Sequence, residues 1–205
     1  MIRELTPEQK ATLTDREYAA WQYQLQGSYD DKPVMILSRD LYHRKAIGNA
    51  TTLTFFDGNL SDVTVTNVAS NQLPATESFT ILDVGIKMLC IGAVATPNAL
   101  IQACLNFLSV GQLTVTVANK APVVEIPTWR FVPTIALAAD NAALTTSDIG
   151  EFFVEGLYKL AIPQVIGEKV SFSAKFTAGA APAAILNTAS VQMAVNLGGL
   201  TVRGR

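Results

Sequence analysis

Charged side chains are scarce in this sequence, at 16% of its 205 residues, where a soluble domain normally carries roughly a quarter. The scarcity is uneven. Residues 1–45 hold 14 of the 32 charged side chains, seven basic and seven acidic, and the stretch Met88–Asn119 holds none. A chain of this length hides roughly 70% of its extended surface on folding and still presents a large exterior. An exterior rich in Val, Thr, Ala, Leu and Ile and poor in charge is best accounted for by contact with other molecules. The sequence therefore reads as a building block, with an assembly interface in place of an active site.

Basic clusters are missing as well. Net charge is −2, and phosphate binding needs grouped Lys and Arg, so no specific nucleic-acid partner is expected. The bases of the first 45 residues are matched one for one by acids, which argues against a genome-packaging arm. Long apolar runs are also absent. A membrane-spanning helix needs about 20 mostly apolar residues, whereas Met88–Ala95 is broken by Thr96-Pro97-Asn98 and followed by Gln102, Asn106 and Gln112. Peripheral contact with a membrane is left open, and no residue points to it. Cysteine is limited to Cys90 and Cys104, too few for a disulfide scaffold. Pairing between them is not decided by spacing, and two buried free thiols are the expectation. Met1-Ile2-Arg3-Glu4 leads into polar sequence instead of an apolar signal core, which predicts synthesis and assembly in a cytoplasm.

What is present begins with a helix. Thr14-Asp15-Arg16-Glu17 forms a capping box, with Leu13 and Tyr18 placed as its hydrophobic staple. Tyr18, Trp21 and Leu25 fall on one apolar stripe, and Gly27 supplies a stop. The stripe has two destinations: the chain's own body, or a neighbouring subunit. The second makes Tyr18, Trp21 and Leu25 candidate assembly-interface residues. From Gly27 to Asn49 the sequence is polar and irregular, with one strand candidate at Val34–Leu37. Residues 1–49 thus form an expected N-terminal arm, with a helix over about 14–26 and a polar linker, and residues 50–205 the body.

The body reads as β. Thr51–Phe56 and Asp62–Asn67 alternate, with Gly58-Asn59 as turn chemistry between them. Ser78–Ile91 is a long strand with a bend expected at Gly85. Thr96-Pro97-Asn98 caps one convincing internal helix, Asn98–Val110, whose Leu100, Ile101, Cys104, Leu105 and Leu108 share a face. Gly111 ends it and launches the alternating Gln112–Asn119. Ala121–Phe131 contains Pro127, which implies an edge or a kink. Val132–Thr146 carries no clear signal. Glu151–Leu160, Glu168–Phe176 and Ala189–Val202 complete the strands, with Ile162-Pro163 as a break and Thr177–Thr188 as a loop of small residues at a rim. Eight to ten strands with one helix and no βαβ rhythm predict an all-β, antiparallel β-sandwich, a single jelly roll.

Catalytic chemistry needs titratable groups converging in a pocket, and the sequence offers little. His43, the only histidine, lies in a polar segment outside the predicted body with no ligand-spaced Cys or carboxylate; it reads as a surface or interface residue. Asp57 and Asp62 flank a turn without the ligand series of a calcium loop. Glu151 and Glu155 share a strand face, as paired glycosidase carboxylates can, with nothing else to support a sugar cleft. Gly198-Gly199 marks a bulge or a close backbone approach. Neither GxGxxG nor GxxxxGK[ST] occurs. No catalytic, metal or cofactor residue is assigned.

The order of the later segments is familiar. Phe107-Leu108-Ser109-Val110-Gly111 closes the helix; Leu113–Val117, Asn119-Lys120 and Val124-Glu125-Ile126-Pro127 with Trp129 follow. Then come Tyr158–Pro163, Val170–Phe176 and a terminal Val191–Arg203 ending in Gly199-Leu200-Thr201-Val202-Arg203. Over residues 51–203 this resembles capsid proteins of tailless icosahedral bacteriophages with upright jelly rolls, the group related to the PRD1–adenovirus lineage. Many members carry two jelly rolls per chain, and this chain carries one.

The resemblance implies a non-enzymatic major or co-major coat protein of a virion, made in the host cytoplasm. Its partners would be copies of itself in a trimeric or pseudo-hexameric capsomer, and other capsid proteins such as vertex or minor proteins. The alternative is a jelly-roll module binding carbohydrate or a receptor, with Trp129 and Tyr158 as candidate contacts. A cupin-type enzyme ranks third, because it uses several histidines.

Overall fold

The computed structural model describes residues 34–58, 66–90, 97–118, 121–136, 152–188 and 191–204, together with Thr14 and Tyr18. Nine strands fill most of this length: β1 Val34–Ala46, β2 Thr52–Phe55, β3 Glu77–Cys90, β4 Gly111–Val117, β5 Pro122–Pro127, β6 Val132–Ala136, β7 Phe152–Ile166, β8 Phe172–Ala178 and β9 Val191–Gly204. Helix α1 spans Pro97–Ser109 between β3 and β4, and the short α2, Ala184–Thr188, lies between β8 and β9.

The topology follows from nested antiparallel pairing. β1 pairs with β9, β2 with β8, β3 with β7 and β4 with β5. That is one long hairpin folded back on itself. It rolls up when β9 also pairs with β3 and β8 with β4. The result is a five-stranded sheet ordered β1-β9-β3-β7-β6 facing a four-stranded sheet ordered β2-β8-β4-β5. This is the jelly-roll wrapping, as the sequence predicts.

The core lies between the sheets and comes from the period-2 alternation of their strands. Phe79, Ile81, Val84, Ile86 and Met88 of β3 meet Leu113 and Val115 of β4 and Phe172, Ala174 and Phe176 of β8, all buried. The Phe56 and Phe172 rings stand 5.3 Å apart and those of Phe107 and Phe176 5.2 Å, distances at which ring pairs add stabilisation beyond area burial.

Several expectations need correction. The segment 27–49, read as a polar linker with a strand only at Val34–Leu37, carries the 13-residue β1, so 34–46 are sheet. Its hydrophilic look arises because β1 is an edge strand whose polar residues find distant partners. Leu41 and His43 point inward and are 0% and 3% exposed, so His43 is buried instead of lying at the surface. The irregularity of β3 falls between Ile81 and Asp83, not at Gly85. β7 runs through Ile162-Pro163 without ending. Pro163 can sit there because the ladder to β3 skips from Lys159 to Gln164, and no amide is demanded of it.

Other details agree. β5 is an edge strand and turns at Pro127 into a 3₁₀ turn, Thr128–Arg130. Gly199 is a close approach: a Cβ there would collide with the Thr80 carbonyl. Cys104 is buried. Asp15, Arg16 and Glu17 of the capping box, Trp21 and Leu25 lie outside the described residues, as do most of Asp62–Asn67 and Glu151.

Candidate assembly surface

The helical end of the sandwich is built by two loops the sequence places far apart. Helix α1 turns Leu100, Cys104 and Phe107 inward, where Phe107 meets Phe176 of β8. Its last turn is fastened by the Thr128 hydroxyl, which donates to the Leu108 carbonyl. Gly111 then lets β4 start directly against Phe176 and Thr128, space that a Cβ would occupy. Across from α1, the 179–183 loop leaves β8 and is pinned by the Gly179 N–H to the Val110 carbonyl at 2.8 Å. It leads into α2, whose Leu186 is fully buried.

Between these parts runs a groove of about 470 Å³, lined among others by Ala99, Ala103, Phe107, Val110, Ala180 and Ile185. Its polar lining is Gln102 and Asn106, whose side chains bond each other at 2.9 Å. Val110 is 51% exposed. Met88–Asn119 has no charge, and a second run, Phe176–Val202, has none either. Folding brings one part of each run, helix α1 and residues 180–185, together at one end of the molecule. Single exposed apolar residues are ordinary; a contiguous surface of small, uncharged side chains is what interface centres look like, since charged residues are depleted there. The second run is legible in the sequence, but only where part of it meets part of the first does it form a surface.

Further apolar groups are exposed on the flanks: Leu37 on β1, Val123 on β5, and Leu157 and Ile162 on β7, the last at 71%. Trp129, in the 3₁₀ turn beside α1, is 66% exposed, with the Arg130 guanidinium 5.6 Å from its ring centroid. Tyr158 is half-buried with its ring 6.1 Å from that of Phe131.

The buried polar groups serve the fold. Glu77 begins β3 with its side chain 2% exposed. Arg39 of β1 donates to one carboxylate oxygen at 2.5 Å, and Arg203 of β9 donates to the other from Nε and Nη2 at 3.0 and 2.9 Å. Three strands are tied at that point. His43 accepts the Phe56 N–H at Nδ1, 2.8 Å away, which leaves the neutral ring's proton on Nε2. Phe55 and Phe56 meet the ring edge-on. Burial lowers the His43 pKa, nearby Lys45 adds to the effect, and Asp57 opposes it. Lys45 and Asp57 form an ion pair at 2.6 Å. Among the described residues no group of three or more His, Cys, Asp or Glu is placed to hold a metal, and none of their helices is long and apolar enough to cross a membrane.

Of the candidate interface residues in the arm, Tyr18 is half-buried, and its N–H bonds the Thr14 carbonyl at 2.9 Å, one helical turn. Trp21 and Leu25 lie outside the described residues.

No family model and no curated protein matches this chain. Among solved structures, the chain is similar to the Nora virus structure at 7% identity and a TM-score of 0.30, over 86% of this chain and 65% of that one. It is also similar to the VP2 subviral particle of infectious bursal disease virus at 13% identity and a TM-score of 0.13, over 86% of this chain and 41% of that one. The chain therefore spans less than two thirds of the length of either neighbour.

Proposed function

We propose that this chain is a structural subunit of a viral capsid that assembles with copies of itself through its uncharged helical end and its apolar flanks. The jelly-roll wrapping recurs in capsid proteins, lectins and cupins, so topology alone does not choose among them. The observation that carries the reading is the meeting, on one exposed surface, of helix α1 and residues 180–185, each drawn from a charge-free run of the sequence, Met88–Asn119 and Phe176–Val202. Permanent subunit contacts bury more than about 2,000 Å² and are more apolar than transient ones. At roughly 25 cal/mol per Å² that amounts to about 50 kcal/mol gross, before the costs of association. The finer reading is a coat subunit of a tailless icosahedral bacteriophage, made in the host cytoplasm and located in the virion. It would form a trimeric or pseudo-hexameric capsomer together with vertex or minor proteins.

Ala180 and Asn106 are exposed on this surface, so Ala180→Glu and Asn106→Asp load it with charge while leaving the core alone. Each should abolish particle formation in light scattering and negative-stain imaging, with an unchanged β circular-dichroism spectrum. Particles that form as before would refute this surface as the contact. A second reading, a binding module, draws on the exposed Trp129 stacked with Arg130. Micromolar glycan binding that Trp129→Ala removes, from a chain that stays monomeric, would favour it.

A further inference from the structure

The four-stranded sheet turns one face to the core and the other outward, as the alternation along β2, β8, β4 and β5 requires. The outward positions are hydroxyl-rich: Thr52, Thr54, Thr114, Thr116 and Thr177 are among them, and none is buried. Only two carry charge, Lys175 on β8 and Glu125 on β5. Both are exposed, and neither has an ion-pair partner among the described residues.

Strand register puts the two charges on one line. Lys175 stands opposite Thr54 on one side and Thr114 on the other, and Thr114 stands opposite Glu125. The Thr114 hydroxyl donates to the Lys175 carbonyl at 3.3 Å. β4 lies between β8 and β5, so the cation and the anion sit one strand spacing, about 4.8 Å, to either side of Thr114. Both edges of this sheet are poor templates for another strand. β2 has four residues, and β5 is bracketed by Pro122 and Pro127; short length and proline blunt an edge. A neighbour approaching this side meets the face.

One cation and one anion flanking a central strand match themselves under one symmetry operation. A two-fold axis along β4 lays β8 of one copy over β5 of the other, so Lys175 faces Glu125 of the second copy and Glu125 faces its Lys175. A two-fold running across the strands through the same line would set Lys175 on Lys175 and Glu125 on Glu125. Face-to-face sheets lie about 10 Å apart with their strands within about 30°. A lysine and a glutamate together bridge such a gap, and threonine methyl groups pack between them.

We propose that the outward face of the four-stranded sheet is a two-fold contact with a second copy of this chain, held in register by two Lys175–Glu125 pairs about Thr114. Three strands overlap, about 15 Å by 20 Å, far less than the roughly 800 Å² per partner of a standard interface. The contact is therefore weak by itself. Its charges select orientation and partner more than they add affinity. It uses no residue of the helical end and does not rest on the capsid reading.

The test mixes two variants of the full-length chain, both in the Ala180→Glu background that loads the helical end with charge. Lys175→Glu leaves two acids on the face, and Glu125→Lys leaves two bases. In sedimentation equilibrium up to about a millimolar, the Ala180→Glu parent should self-associate and disperse in high salt. Each variant alone should associate at least roughly ten-fold more weakly, because like charges then face each other. An equimolar mixture should regain the parent's association, since every acid faces a base of the other variant. Both variants keep a net negative charge, so overall charge does not draw them together. Both side chains are exposed, and circular dichroism checks that the β structure persists.

A parent that stays monomeric over the whole range overturns the proposal. So do variants that associate as the parent does, and so does a mixture no stronger than its components. Particle loss in Ala180→Glu alone reads the helical end, so failure of that contact and failure of this one are told apart.

Discussion

Replacing Glu77 with Gln would test whether one buried carboxylate fastens the ends of three strands. The substitution keeps shape and removes charge. Arg39 and Arg203 together make three hydrogen bonds to the carboxylate, and hydrogen bonds to a charged group are each worth about 1.5–3 kcal/mol. Gln retains one acceptor oxygen and turns an NH₂ toward a guanidinium, donor against donor. Two effects reduce the loss. The arginine side chains are 31% and 45% exposed, so water takes over part of their solvation, and the charged form's own desolvation disappears. The expected cost is about 2–3 kcal/mol. For a chain of this size that corresponds to a drop in Tm of roughly 5–10 °C. Thermal unfolding followed by circular dichroism measures it, with Asp57→Asn as the reference. The exposed Lys45–Asp57 pair should be worth about 1 kcal/mol or less and should weaken in high salt. A Glu77→Gln chain as stable as the parent, or no more affected than Asp57→Asn, would refute the reasoning.

Acid should loosen the β1–β2 corner. The folded pKa of His43 lies below its ordinary 6.5, so the unfolded chain binds more protons between the two values. Stability from this residue is then fully present above about 6.5 and lost as pH falls through the folded pKa. His43→Gln, measured by urea unfolding from pH 7.5 to 5, should flatten that slope; an equal slope in both proteins would contradict the assignment. Gly111→Ala should cost about 1–3 kcal/mol by overpacking, because the added methyl meets Phe176 and the Thr128 hydroxyl. The effect should appear as a lower urea midpoint and as faster amide exchange at the end of α1.

The segments that could be read directly were those whose environment repeats every second residue. β2, β4 and β8 alternate because one face meets the core and the other does not, so LTFF, LTVTV and FSAKF announce themselves. Helix α1 was legible for the same reason at a period of 3.6. β1 was hidden. Its Arg39, His43 and Lys45 look like a solvated linker, and they lie in a strand because Glu77, the Phe56 amide and Asp57 meet them from 38, 13 and 12 residues away. Pro163 makes β7 look interrupted in the sequence, because its missing donor is harmless only where the ladder to β3 skips.

The sequence by itself determined that the chain is β-rich, poor in charge and supplied with one internal helix, because composition and periodicity are local properties of the chain. Only the tertiary structure decided which strands pair, since every pairing except β4 with β5 and β6 with β7 joins segments far apart. The same long-range pairing brought helix α1 and residues 180–185, from two separate uncharged runs, to one end of the molecule and left Leu82 and Leu200 in a small cluster outside the main core. Each run is readable alone; a surface exists only once the roll has closed.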